Sequence, residues 1–152
     1  MRTAALAASL IVLAGCGCGQ RHTASPSPRV IAPTGDVKVA WTEAELTHDP
    51  SIRPLHADGR MSAVVLRLQG SEKPHRHVEH DLVVVLLTGR ARLHLADRVV
   101  EAAPGDVMEI PRGVPHWAEN IGPGACTAYV VSTPPLDPQD NVPLTPAAQP
   151  AR

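Results

Sequence analysis

Phenylalanine is absent, and aromatic residues make up only 2% of the 152-residue chain. A core must therefore be built from Val, Leu, Ile and Ala. Hydrophobic residues reach 43%, enough for one domain with tails. The β-branched share of that set favours strands. Charge of one sign is also missing. The formal net charge is −1, and no basic stripe is interleaved with aromatics, which argues against nucleic acid as a partner. No apolar run is long enough to cross a bilayer as a permanent helix. The chain lacks a Gly-x-Ser-x-Gly elbow and a Gly-rich phosphate loop, so serine-hydrolase and nucleotide chemistry have no signature here. Cysteine is scarce: Cys16, Cys18 and Cys126. None has the setting of a nucleophile. Cys126 reads as a small buried hydrophobe in a strand, although an exported chain would permit a Cys18–Cys126 disulfide.

The N-terminus reads as a targeting segment. Met1-Arg2-Thr3 carries one positive charge, Ala4 to Val12 is apolar, and Leu13-Ala14-Gly15-Cys16 follows. This is the layout of an export signal. The tetrapeptide resembles the lipobox of bacterial lipoproteins. That resemblance implies cleavage before Cys16, lipidation of Cys16, and a membrane anchor on the periplasmic face or the cell surface. Residues 1–15 are then a signal peptide, and residues 16–34, rich in Pro and Ser, a flexible tether.

A folded domain is expected over residues 35–136. Asp36 to Trp41 alternates as a half-buried strand does. Thr42 with Glu45 three residues on predicts a capped helical turn. Residues 47–59 read as irregular, with His48 and His56 at the surface. Met61–Leu68, Leu82–Leu87, Arg90–Leu95, Val99–Ala102, Val107–Ile110, His116–Ile121 and Cys126–Val131 read as short strands separated by turns. Leu82–Leu87 is apolar throughout, so both its faces should be covered. In Arg90–Leu95, Ala91, Leu93 and Leu95 share one face. Turns every few residues with no long helix predict an all-β sandwich or barrel. Residues 137–152 are a Pro-rich tail, of which 137–144 could lie over the barrel.

Potential metal ligands concentrate in Pro74-His75-Arg76-His77-Val78-Glu79-His80-Asp81, and His116 follows far along the chain in a turn rich in Pro and Gly. Residues i and i+2 of a strand share a face, so His75 and His77 can converge on one ion. The later segment, Gly105 through Pro111, Gly113 and His116 to Asn120, matches the second cupin motif at all its defining positions. The earlier segment, with His75-x-His77 and Gly89, resembles the first cupin motif more loosely. Gly70 stands one residue too close to His75, and Asp81 replaces the expected Glu with one residue too many before Gly89. The chain is thus similar to the cupins, and the resemblance implies a double-stranded β-barrel (jelly roll). It also implies a divalent transition metal held by His75, His77, Asp81 and His116. A bulge would absorb the extra residue, with Glu79 and His80 as alternatives to Asp81. Gly105, Pro111, Gly113 and Asn120 would support the turn.

Imidazole with carboxylate suits iron, manganese, zinc, nickel or copper, and sequence does not choose among them. The favoured reading of function is a cupin that binds the metal in the barrel mouth, with a small-molecule pocket over it, and two alternatives stand beside it. One is a metal-dependent enzyme of dioxygenase or isomerase type. The other is a non-enzymatic module that binds a small molecule, or a sensor with a degenerate site. A homodimer is plausible by analogy with the family.

Overall fold

The computed structural model describes residues 28–32 and 35–145. Twelve strands are present among them. Strands β1 (Arg29–Ala32) and β2 (Gly35–Lys38) form a separate hairpin. The short helix α1 (Glu43–Leu46) follows, then β3 (Ser51–Ala57), β4 (Ser62–Leu68), β5 (His75–His77), β6 (Asp81–Thr88), β7 (Ala91–Leu95) and β8 (Arg98–Ala102). The chain continues through β9 (Val107–Ile110), β10 (His116–Asn120), β11 (Cys126–Thr133), a 3-10 turn at Pro138–Asp140, and β12 (Asn141–Pro143). Two five-stranded antiparallel sheets result, in the orders β12-β5-β10-β7-β8 and β3-β4-β11-β6-β9. Together they make the all-β barrel that the patterning predicted, in the jelly-roll form that the cupin resemblance implied.

The core lies between the sheets. Leu68, Leu86, Ala91, Ala102, Cys126 and Ala128 form one cluster, and Leu82, Leu93 and Ile110 another. In β6, Leu82, Val84 and Leu86 face inward. Asp81, Val83 and Val85 therefore face outward. Val83 is 40% exposed, so the outer face of β6 is only partly covered, contrary to the expectation from its apolar run. An antiparallel sheet tolerates one wetted face. The predicted bulge is present at Leu87: Thr127 pairs with Thr88, but the next residue, Ala128, pairs with Leu86. Gly89, at φ +79°, ends the strand where a Cβ would lie 2.7 Å from the Cys126 Cα, so only glycine fits.

The capping box at Thr42 and Glu45 forms as predicted, with Glu45 Oε2 accepting from the Thr42 amide at 2.8 Å. The Arg53 guanidinium beside Glu45 holds that carboxyl down at about 2. Three strands appear where none was expected. β3 occupies the stretch read as irregular, β1 the end of the tether, and β12 the Pro-rich tail. β3 and β12 are sheet edges, and an edge is where a sheet tolerates Pro54 and Pro143. Residues 1–27 and 146–152, with the signal, Cys16, Cys18 and the last tail residues, lie outside the described residues.

Candidate metal centre

β5 and β10 pair antiparallel through one register point, His116 opposite His75. The burial of β5 alternates: His75 and His77 are buried and Arg76 is exposed. Period two therefore turns both imidazoles into the barrel, where His116 joins them. Ring centroids are 4.4 Å apart for His75 and His116, 5.0 Å for His75 and His77, and 5.3 Å for His77 and His116. One ligand nitrogen from each of the three lies within 4.8 Å of the others.

The tautomers are set by the backbone. His75 Nδ1 donates to the Lys73 carbonyl (2.8 Å), His116 Nδ1 to that of Val114 (2.9 Å), and His77 Nδ1 to that of Asp140 (3.2 Å). Each ring thus carries its hydrogen on Nδ1 and keeps the Nε2 lone pair, and no hydrogen bond occupies any of these Nε2 atoms among the described residues. Burial favours the neutral form of His77 and His116. It lowers the pKa of His116 to about 4 and that of His77 in the same direction, each reinforced by the neighbouring imidazoles. Neutral imidazoles with free Nε2 atoms, each fixed through Nδ1, are the donor set of a metal site. These residues fit a divalent transition metal. A metal–nitrogen bond of about 2.1 Å holds ligand nitrogens within roughly 4.2 Å of each other, close to the spacing already present.

The structure does not bring Asp81 to this cluster. Its carboxylate lies outside the barrel, accepting from the Arg112 amide (2.9 Å), Nε (3.1 Å) and Nη2 (2.5 Å). The Arg112 guanidinium holds the Asp81 carboxyl down at about 2. Period two would keep residues 75, 77, 79 and 81 on one face only in an unbroken strand, but β5 stops at His77 and β6 starts at Asp81. Parity resets across the intervening turn, and Leu82 takes the inward position. Glu79 is exposed and offers only its amide, to Asp140 Oδ2 at 2.9 Å. His80 is buried at 2% exposure. Its ring centroid is 5.8 Å from that of His77, and its Nδ1 is 2.5 Å from Asp140 Oδ2. His77, His80 and Asp140 make a second group with ligand atoms within 4.8 Å. The Asp140 oxygens there are already occupied by amides.

The motif residues form the frame. Gly113, at φ +80°, donates to the His77 carbonyl at 2.5 Å, which ties the turn before His116 to β5. Gly105, at φ +98°, donates to the Leu86 carbonyl. Pro111 opens the turn, accepting through its carbonyl from the Val114 amide at 3.2 Å. Asn120 Nδ2 donates to Gln69 O (2.9 Å), and Asn120 Oδ1 accepts from the Gly122 amide (3.2 Å). Trp117 points away from the cluster and stacks on His94, centroids 4.0 Å apart. His94 is thus packed rather than solvated. Cys126 is buried, and burial pushes its thiol pKa up. A groove of about 350 Å³ opens beside β8 and β9, lined by Leu93, Val100, Ala102 and Met108, and none of the three histidines borders it.

Residues 63–132 match Cupin_2, the cupin domain family. An uncharacterized protein of Aquifex aeolicus is 31% identical over 88 residues, 58% of this chain and 72% of its own. Among solved structures, TT1209 from Thermus thermophilus matches with a TM-score of 0.55 at 23% identity, covering 64% of this chain and 90% of that one. The cupin domain of Schizosaccharomyces pombe Cnp3 matches with a TM-score of 0.55 at 14% identity, covering 70% and 84%. At such identities the two structures speak for the fold alone. A double-stranded β-barrel with a histidine cluster at one end is a cupin architecture. Residues 63–132 are thus a cupin domain, and the described residues have the cupin fold.

Proposed function

We propose that this chain is a lipid-anchored, exported cupin that holds one divalent transition metal through His75, His77 and His116 and binds a small molecule at the open coordination positions. The observation that carries the metal reading is the trio of buried rings, each fixed through Nδ1 to a carbonyl and without a hydrogen bond on its Nε2, with one ligand nitrogen of each within 4.8 Å of the others. The test is metal analysis of the purified protein beside a His75→Ala/His116→Ala double variant. One equivalent in the wild type, lost in the variant, is the expected result. No metal in either after reconstitution would overturn the reading.

Three protein ligands favour a ligand-binding or catalytic centre over a closed structural one, which takes four. When bound, the metal supplies Lewis acidity toward a substrate oxygen, water or O₂. The carbonyls of Lys73, Val114 and Asp140 hold the ligand rings in orientation, and the apolar cluster of Leu82, Leu93 and Ile110 limits water inside the barrel. An enzyme would lose turnover but keep its fold in His116→Ala; a binder would show saturable uptake and no turnover. Export and anchoring rest on Leu13-Ala14-Gly15-Cys16. Cys16→Ala should release the protein from the membrane fraction, and unchanged partitioning would sink that part of the reading.

A further inference from the structure

The chain beyond β11 lies outside the 63–132 cupin match, yet it reaches the histidine centre. β12 adds itself to β5, with Asn141 opposite His77 and Pro143 opposite His75. Asp140, just before it, is 9% exposed. Its Oδ1 accepts from the Val78 amide at 2.8 Å, and its Oδ2 accepts from the Glu79 and His80 amides at 2.9 and 3.2 Å. The same Oδ2 lies 2.5 Å from His80 Nδ1, and His80 Nε2 meets the Pro135 carbonyl at 2.7 Å. The strap from Pro135 to Pro143 thus holds the whole turn that follows His77.

The three ring anchors are not equivalent. His75 and His116 each find a carbonyl two residues earlier in their own segment. Local backbone geometry therefore presets both. His77 reaches 63 residues along the chain, to the carbonyl of Asp140. Two of the three rings are ready once the barrel forms, and the third waits for the strap.

We propose that Asp140 is a positioning residue of the metal centre. Its carboxylate fastens the strap to the turn Val78–His80, and its carbonyl then orients His77, so that strap docking and metal affinity are coupled. The coupling is reciprocal: metal tightens the strap as the strap tightens metal. The inference rests on the three-histidine centre holding a metal.

The test uses full-length protein with cobalt(II) as probe, reading affinity by chelator competition, the visible spectrum of the bound ion, and thermal stability. Asp140→Ala keeps the main-chain carbonyl but frees its position. It should weaken cobalt binding about 10- to 100-fold, as loss of an outer partner of a ligating His does, and alter the spectrum. Leu86→Ala, a core change away from the strap, should lower the melting temperature while leaving affinity and spectrum near wild type. If Asp140→Ala does not fold, Asp140→Asn replaces it. It keeps size and one acceptor but sets an NH₂ against backbone amides, and it should change both readouts in the same direction. Hydrogen exchange of the Asn141, Val142 and Leu144 amides should slow when cobalt is added to the wild type. Wild-type affinity and spectrum in the Asp140 variant, or exchange indifferent to cobalt, would overturn the inference while leaving the metal centre standing. A wild type that takes up no cobalt would overturn both.

Discussion

Acidifying the metal-free protein should remove stability that His116 supplies as a neutral ring. Burial lowers its pKa in the folded protein to about 4 from an ordinary value of 6.5. Between those values the unfolded chain binds a proton that the folded chain refuses. The contribution is complete above about pH 6.5, erodes as pH falls, and is lost by about pH 4. The whole window corresponds to roughly 3 kcal/mol, and stopping at pH 5 removes about 2 kcal/mol. His77 is shifted the same way and adds to the loss. Glu72 opposes it: burial raises its pKa, so its charged form strains the fold near neutrality and acid relieves that strain. Comparison with His116→Gln cancels the Glu72 and His77 contributions to first order. The assay is urea or thermal unfolding in chelator at pH 7 and pH 5 for both proteins. The wild type should lose about 2 kcal/mol more than the variant over that interval, roughly 5–10 °C in Tm for a domain of this size. Parallel losses would refute the claim that burial holds His116 neutral.

Three further outcomes follow from the geometry. Asp81→Asn should leave metal affinity within a few-fold of wild type, because Asp81 serves Arg112 outside the barrel, whereas His77→Ala should abolish binding; metal titration of both variants checks this. Gly89→Ala should destabilise by roughly 2–3 kcal/mol, because strain at positive φ adds to a Cβ set against the Cys126 backbone. Gly105→Ala, at positive φ with open space around it, should cost only about 1 kcal/mol, and equal losses would contradict the packing. Cys126 should react with a thiol reagent only on unfolding, since it is 3% exposed and burial raises its pKa; rapid labelling of the native protein would contradict its burial.

Local pattern was legible where it was strict and where partners were near in sequence. Alternation placed Ala91 and Leu93 inside, both now 6% exposed, and the Thr42 capping box needed only neighbours three residues apart. The surplus residue before Gly89 announced a bulge, which the pairing locates at Leu87. Proline misled where strands were missed. Pro54 and Pro143 spoke against strands, but the objection holds for central strands, and these sit at edges. The ligand face was misjudged at Asp81 because period two holds only within an unbroken strand. The break after His77 is maintained by Asp140, whose amide partners lie about 60 residues earlier in the chain. No local signal in a Pro-rich tail announces such a contact. The outcome is that Asp81 binds arginine and Asp140 binds backbone amides, and the cluster itself consists of three imidazoles.

The lowered pKa values of His77 and His116 bear on how the centre should respond to acid. Protons and metal compete for the same Nε2 atoms. A solvated imidazole with a pKa near 6.5 is about 90% protonated at pH 5.5, which lowers its apparent metal affinity roughly tenfold for each such ligand. His116, held at about 4, is only about 3% protonated at that pH. His77 is shifted in the same direction. Burial that destabilises the metal-free fold in acid should therefore protect metal binding in acid. Metal in hundredfold excess over its dissociation constant raises stability by about 2.7 kcal/mol, roughly 8 °C here. Between pH 7 and pH 5.5 this metal-induced shift in melting temperature should shrink far less than that of a solvent-exposed three-histidine site, such as a histidine tag measured in parallel. A shift that collapses together with that of the tag would show that His77 and His116 titrate as if in water, contrary to their burial.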